Sequence, residues 1–202
     1  MTSSIMLSIA TFVYGGAAFL YIFSWIFKNE SSGRMATAAG IAGAVGNLGG
    51  ILLRWMESYR MGFGHAPLAN FYESLIFFSF TIMAIYLVLE FRHKNRIIGA
   101  FVAPLAFLAI AYASLSPDIS DRIQPLIPAL KSNWLIAHVI ACFIGYAAFA
   151  VAFGTSIMSL IRRRSPADGT HLTERLPAAA VLDELTHQMV MFGFLFLSAG
   201  II

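Results

Sequence analysis

Residues Trp134–Ile161 read WLIAHVIACFIGYAAFAVAFGTSIMSLI, and Arg162, Arg163 and Arg164 follow at once. These 28 residues contain no Asp, Glu, Lys or Arg. A helix needs ~20 predominantly apolar residues to cross a hydrocarbon core about 30 Å thick. The run therefore predicts a transmembrane helix with length to spare, which tilts or extends past the interface. The triple arginine fixes its direction, because Lys and Arg collect on the cytoplasmic side of a membrane.

Similar runs lie on either side. The spans read as Ser4–Phe27, Met35–Trp55, Phe71–Phe91, Ile97–Leu115, Trp134–Ile161, and a sixth beginning at about Thr186. The sixth offers only about a dozen apolar residues before Ile202. That is short for a crossing, so the expectation is five complete spans, an incomplete sixth and a truncated chain. Composition agrees with the class. Apolar residues are 59% and charged residues 11% of the 202 positions, against roughly 25% charged in soluble domains. Mean hydropathy is +0.78. The fold class expected is all-α, a polytopic transmembrane helix bundle forming one domain over residues 1–202.

The bases divide unequally between alternate loops. Lys28, Arg34, Arg92, Lys94, Arg96, Arg162, Arg163, Arg164 and Arg175 follow spans one, three and five, while Arg54, Arg60, Arg122 and Lys131 follow the others. The nine-to-four split puts the first set in the cytoplasm. The N-terminus and the loops Met56–Asn70 and Ser116–Asn133 then face outward. The same split accounts for the net charge of +3 without invoking nucleic acid. The segment Arg162–Glu184 carries turn signals at Ser165-Pro166 and Asp168-Gly169, and Ala178–Leu185 suits a short surface helix leading into span six. The first apolar run is longer than a signal-peptide core and has no Lys or Arg before it, so it reads as a span rather than a secretory leader.

Few residues can carry chemistry. Cys142 is the single cysteine, which leaves no disulfide framework or cysteine-based metal site within one chain. Phosphate loops, nucleophile elbows, HExxH and CxxC are all missing from the sequence. His138 lies about one turn inside span five, on a face shared with Trp134, Cys142, Gly145, Tyr146 and Phe149. Imidazole at that depth is costly against lipid and should face the bundle or a wet cavity. It is also a good iron ligand. From spacing alone the plainer reading, an interfacial histidine bonded to a neighbouring helix, outweighs the ligand.

His65 lies in the outward loop beside Gly64 and Pro67, which suit a defined turn. Tyr72 and Glu73 begin span three, where the helix dipole favours a carboxylate, and Glu73 is in range of Arg54 or Arg60 across the loop. The plainer reading is a solvated His65 and a Glu73 that is only an N-terminal charge. Span two holds Gly40, Gly43, Gly46, Gly49 and Gly50 with Asn47 among them, and Gly46 with Gly50 forms a small-xxx-small pair that allows a close helix approach. Pro104 predicts a kink in span four. His93, His171 and His187 fall in or beside the polar cytoplasmic segments and take no role.

Two segments carry a resemblance. Gly64-His65-Ala66-Pro67-Leu68-Ala69-Asn70-Phe71-Tyr72-Glu73-Ser74-Leu75 resembles the GHxPxxNxYESL-type segment of the CcsA/ResC family, haem-handling membrane proteins of system II cytochrome c biogenesis. Trp134-Leu135-Ile136-Ala137-His138-Val139, with Tyr146-Ala147-Ala148-Phe149, is similar to that family's W-L-x-x-H-V…Y-A-x-F helix. Leu182-Asp183-Glu184-Leu185 resembles the approach to its next span.

The resemblance implies that His138 is one of two external histidines that ligate haem iron on either side of a Trp-rich WWD segment. That segment and the second histidine would lie beyond Ile202. It also implies that Trp134, Tyr146, His65, Tyr72 and Glu73 lie near an outward haem cavity. The complete protein would act with a CcsB/ResB-type membrane partner, attaching haem b to the cysteines of a CxxCH apocytochrome c as part of a haem lyase. It would do so in the plasma membrane of a bacterium, or in a thylakoid membrane. Two other readings stay open: a non-catalytic assembly subunit packed through Gly46 and Gly50, and a small-solute transporter using Asn47, Glu73 and His138.

Overall fold

A computed structural model of the chain describes residues 2–126, 132–164 and 172–201. Lys131, His171 and the turn signals Ser165-Pro166 and Asp168-Gly169 lie outside the described residues. The described residues form six helices: α1 (Thr2–Phe27), α2 (Glu30–Arg60), α3 (Phe71–His93), α4 (Gly99–Leu115), α5 (Asn133–Arg164) and α6 (Ala179–Ile201). Five of them are long and apolar enough to cross a membrane, and α4, at 17 residues, is shorter. The fold is the expected polytopic helical bundle, with no strand among the described residues. Helix α6, however, expected to be incomplete, is long enough to cross because its polar first turns are helical too, and α4 is the short one.

Consecutive helices pair as hairpins, α1 with α2, α3 with α4 and α5 with α6. The hairpins join where α1 packs on α4 and where α3 packs on α2 and α5, while α6 rests chiefly on α5. Hydrogen bonds between elements define two ends of the bundle. At one, Ser3 Oγ donates to Glu57 Oε2 and Thr11 Oγ1 meets Ser114 Oγ at 3.1 Å. At the other, Trp25 Nε1 donates to the Leu172 carbonyl and Arg175 Nη1 to the Trp25 carbonyl. The loops of each charge class therefore share an end, as alternating spans require.

Helix α2 shows why so many glycines sit in one span. Glycine lowers helix stability by ~1 kcal/mol relative to Ala, so a run of them needs a packing reason. A Cβ on Gly43 would lie 2.4 Å from the Tyr14 ring, and one on Gly50 would lie 2.6 Å from Leu7. Tyr14 and Leu7 are fully buried and cannot yield. At Gly46 the nearest atom is Ala10 Cβ at 3.7 Å. The tight α1–α2 seam is thus Gly43 and Gly50, two turns apart. Of the expected pair Gly46 and Gly50, only Gly50 is in tight contact.

Two boundaries differ from the sequence reading for identifiable reasons. Helix α6 starts at Ala179, so the anticipated surface helix and span six form one continuous helix. Its polar first turns are satisfied by α5. Ser159 Oγ donates to Asp183 Oδ1 at 2.7 Å, Arg163 pairs with Asp183, and the Thr155 and Thr186 hydroxyls meet at 2.8 Å. Helix α2 begins at Glu30, capped by the Asn29 side chain accepting from Ser32 N. Pro104 lies within α4, where its missing N–H removes the bond to the carbonyl four residues back.

Candidate functional site

The two segments singled out in the sequence lie at the same end of the bundle. Asn70 caps α3 by accepting from Glu73 N at 2.8 Å, and Glu73 Oε2 accepts from Ala69 N at 2.8 Å. This reciprocal arrangement is a variant of the capping box. The other Glu73 oxygen, Oε1, accepts from Arg54 Nε at 2.7 Å, with the two side chains only 2% and 1% exposed. The Arg54 guanidinium also lies 5.0 Å from the Tyr72 ring centre, within cation–π range. Of the two arginines in range of Glu73, Arg54 is the partner. Its Nη2 is buried with no hydrogen-bond partner.

His65 departs from the solvated-loop reading, for it is only 8% exposed. The loop curls back over the end of α2. Gly64 N donates to the Ser58 carbonyl and His65 N to Ser58 Oγ. Gly64 makes this turn with φ +63°, a left-handed conformation that glycine adopts without a Cβ penalty. The imidazole bridges two carbonyls, Ala66 O from Nδ1 at 2.9 Å and Gln124 O from Nε2 at 2.8 Å. With both nitrogens in contact, His65 ties the α2–α3 loop to the α4–α5 loop.

A pocket of about 410 Å³ opens beside it, lined among others by Trp55, Tyr59, Phe63, His65, Leu135 and Val139. Trp55 and Tyr59, one turn apart on α2, supply an aromatic wall that the sequence reading did not select. Their i, i+4 spacing just before the His65 loop was the available signal. The α5 residues in this wall are Leu135, Ile136 and Val139. His138 is on the adjacent α5 face and does not line the pocket.

The His138 face meets α6. His138 Nδ1 lies 2.5 Å from the Gly200 carbonyl oxygen, and a Cβ on Gly200 would lie 2.9 Å from Cys142 Sγ. Further along, Gly145 and Gly193 bring the two backbones together, so that a Cβ on Gly145 would lie 2.9 Å from the Gly193 carbonyl oxygen. Because a carbonyl only accepts, Nδ1 carries the proton in this bond and the neutral ring keeps its lone pair on Nε2. Cys142 Sγ sits 3.8 Å from that nitrogen. His138 itself is exposed, as are Trp134 at 85% and Tyr146 at 46%. Tyr146 stacks edge-on against Phe143. No group of three or more His, Cys, Asp or Glu able to hold a metal ion occurs among the described residues.

A second polar centre, which the sequence reading missed, lies at the opposite end. Glu90 is 4% exposed and accepts from the Tyr21 and Tyr86 hydroxyls, both at 2.6 Å, and from Thr37 Oγ1 at 2.5 Å. Arg96 Nε approaches to 3.4 Å. The carboxylate joins α1, α2 and α3 to the loop that leads into α4.

Comparison with known proteins places the chain among relatives. The profile of the family described as cytochrome C assembly protein matches residues 68–202. Three similar proteins are each named cytochrome c biogenesis protein CcsA. That of Trieres chinensis is 29% identical over 179 residues, 74% of this chain and 56% of the relative. That of Trichormus variabilis is 39% identical over 132 residues, 63% of this chain and 36% of the relative. That of Heterosigma akashiwo is 36% identical over 143 residues, 70% of this chain and 43% of the relative. The chain spans between about a third and rather more than half of the length of these relatives.

Proposed function

The chain belongs to the cytochrome C assembly protein family, and we propose that it is the haem-handling part of a system II cytochrome c synthase. In this reading it presents haem b at the outer face of a bacterial plasma membrane or a thylakoid membrane. The recipient is a CxxCH apocytochrome c, and a CcsB/ResB-type membrane protein is the partner. Each cysteine S–H adds across a haem vinyl group to give a thioether, with no net oxidation or reduction.

One observation carries the reading. His138 is exposed at the end of α5, and its Nδ1 is held by the Gly200 carbonyl. A ring fixed through one nitrogen presents the other in a set tautomer and direction, the usual arrangement for a metal-binding histidine. His138 is therefore the axial ligand offered by this chain. Trp134 and Tyr146 expose aromatic surface on the same helix, suited to an apolar macrocycle. His65, Tyr72 and Glu73 serve differently. Their side chains are buried and engaged, so they shape the outer loop and its aromatic pocket without touching iron.

The test is the absorbance of the haem-bound protein, with His138→Ala and added free imidazole as the comparison. Loss or displacement of the haem bands in the variant, restored by imidazole, supports ligation. An unchanged spectrum removes His138 as ligand. A variant that assembles normally yet fails in cytochrome c maturation excludes a purely structural subunit.

A further inference from the structure

We propose that the groove between α3 and α6 is a binding site for one anionic phospholipid of the leaflet at the Arg-rich end. The groove encloses about 520 Å³. Its walls are Ile85, Val88 and Leu89 on α3 and Met189 and Phe192 on α6. Arg92 and His93 close it at the end of α3, and Gln188 faces them from α6.

The dimensions suit a single leaflet. From Ala84 to His93 the helix rises about 13 Å at ~1.5 Å per residue, close to half of the ~30 Å hydrocarbon core. Acyl chains would lie along the apolar walls, with the headgroup level at Arg92 and His93. These two side chains are exposed, and neither has a hydrogen bond or ion pair among the described residues. Arg34, Arg96 and Arg163 at the same end are each paired with a carboxylate. An unengaged arginine and histidine above an apolar slot complement a phosphate with net negative charge. Gln188 Nε2 donates to Glu184 Oε1 at 2.8 Å, which ties that carboxylate to the amide, one turn nearer the start of α6.

The intact protein, purified in detergent, is exchanged into equal amounts of phosphatidylglycerol and phosphatidylcholine, and retained lipid is counted by native mass spectrometry. One phosphatidylglycerol should be retained in preference. Arg92→Gln should lower that preference about fivefold, the worth of one base at an anionic surface, while Arg164→Gln leaves it unchanged. Val88→Trp, which fills the slot, should reduce retention of both lipids. Equal retention of the two lipids by the unaltered protein would overturn the proposal. So would equal effects of Arg92→Gln and Arg164→Gln, or a Val88→Trp variant that keeps its lipid. Each variant is scored only after its thermal unfolding matches the parent.

Discussion

Arg54 Nε and Glu73 Oε1 meet at 2.7 Å in an ion pair that neither solvent nor lipid reaches. The pair joins α2 to the cap of α3, since the same carboxylate also accepts from Ala69 N. Removing one member strands the other charge in a medium that solvates it poorly. Glu73→Met or Arg54→Met alone should therefore lower stability by ~3–5 kcal/mol. Replacing both with methionine removes the stranded charge and should cost much less than the sum of the singles. Thermal unfolding of the four proteins in one detergent measures this, and simple additivity would show that the pair is not coupled.

The α1–α2 seam makes a contrast within one helix. Gly43→Ala places a methyl group 2.4 Å from the buried Tyr14 ring, whereas Gly46→Ala finds only Ala10 Cβ at 3.7 Å. Gly43→Ala should cost about 1–3 kcal/mol through overpacking, while Gly46→Ala should be neutral or slightly stabilising. Equal unfolding temperatures for the two variants would mean that α1 and α2 separate more readily than this packing allows.

The helices were legible because apolar length decides them, and their alternating direction follows from the loop charges. Glu73 was half legible. Its place at a helix start and its two arginines in reach were visible, but the choice of Arg54 depends on which face α2 turns to α3. His65 misled because a Gly- and Pro-rich loop reads as solvated. Its burial comes from Ser58 and from Gln124, 59 residues away, and a carbonyl leaves no mark in a sequence. The same holds for Gly200, whose backbone oxygen engages His138. Glu90 was missed because a carboxylate beside Arg92 and Lys94 reads as an interfacial charge, and its tyrosines come from two different helices.

Glu90 makes a prediction of its own. Tyr21 and Tyr86 donate to the same oxygen, Oε2, at 2.6 Å each, and hydrogen bonds to a charged group contribute ~1.5–3 kcal/mol each. Tyr86→Phe should destabilise by about one such bond. Glu90→Ala should exceed it clearly, because it leaves two buried hydroxyls without an acceptor. Chemical unfolding followed by circular dichroism orders the variants, and a Glu90→Ala cost no larger than that of Tyr86→Phe would deny the carboxylate its role as hub.

The hold of α6 on His138 can be tested without touching the imidazole. A methyl group at Gly200 would lie 2.9 Å from Cys142 Sγ, so Gly200→Ala should push α6 away and lengthen the Nδ1 bond to the Gly200 carbonyl. If that bond orients the ligand, haem retention should fall about tenfold, as for other partners that orient a metal-binding histidine. Cys142→Ala removes the obstructing sulfur. The double variant Cys142→Ala/Gly200→Ala should then recover retention and the parent absorbance, while Cys142→Ala alone should change little. Recovery would assign the loss to the position of α6, because the histidine is unaltered throughout. Undiminished haem retention in Gly200→Ala would instead mean that His138 meets haem without help from α6.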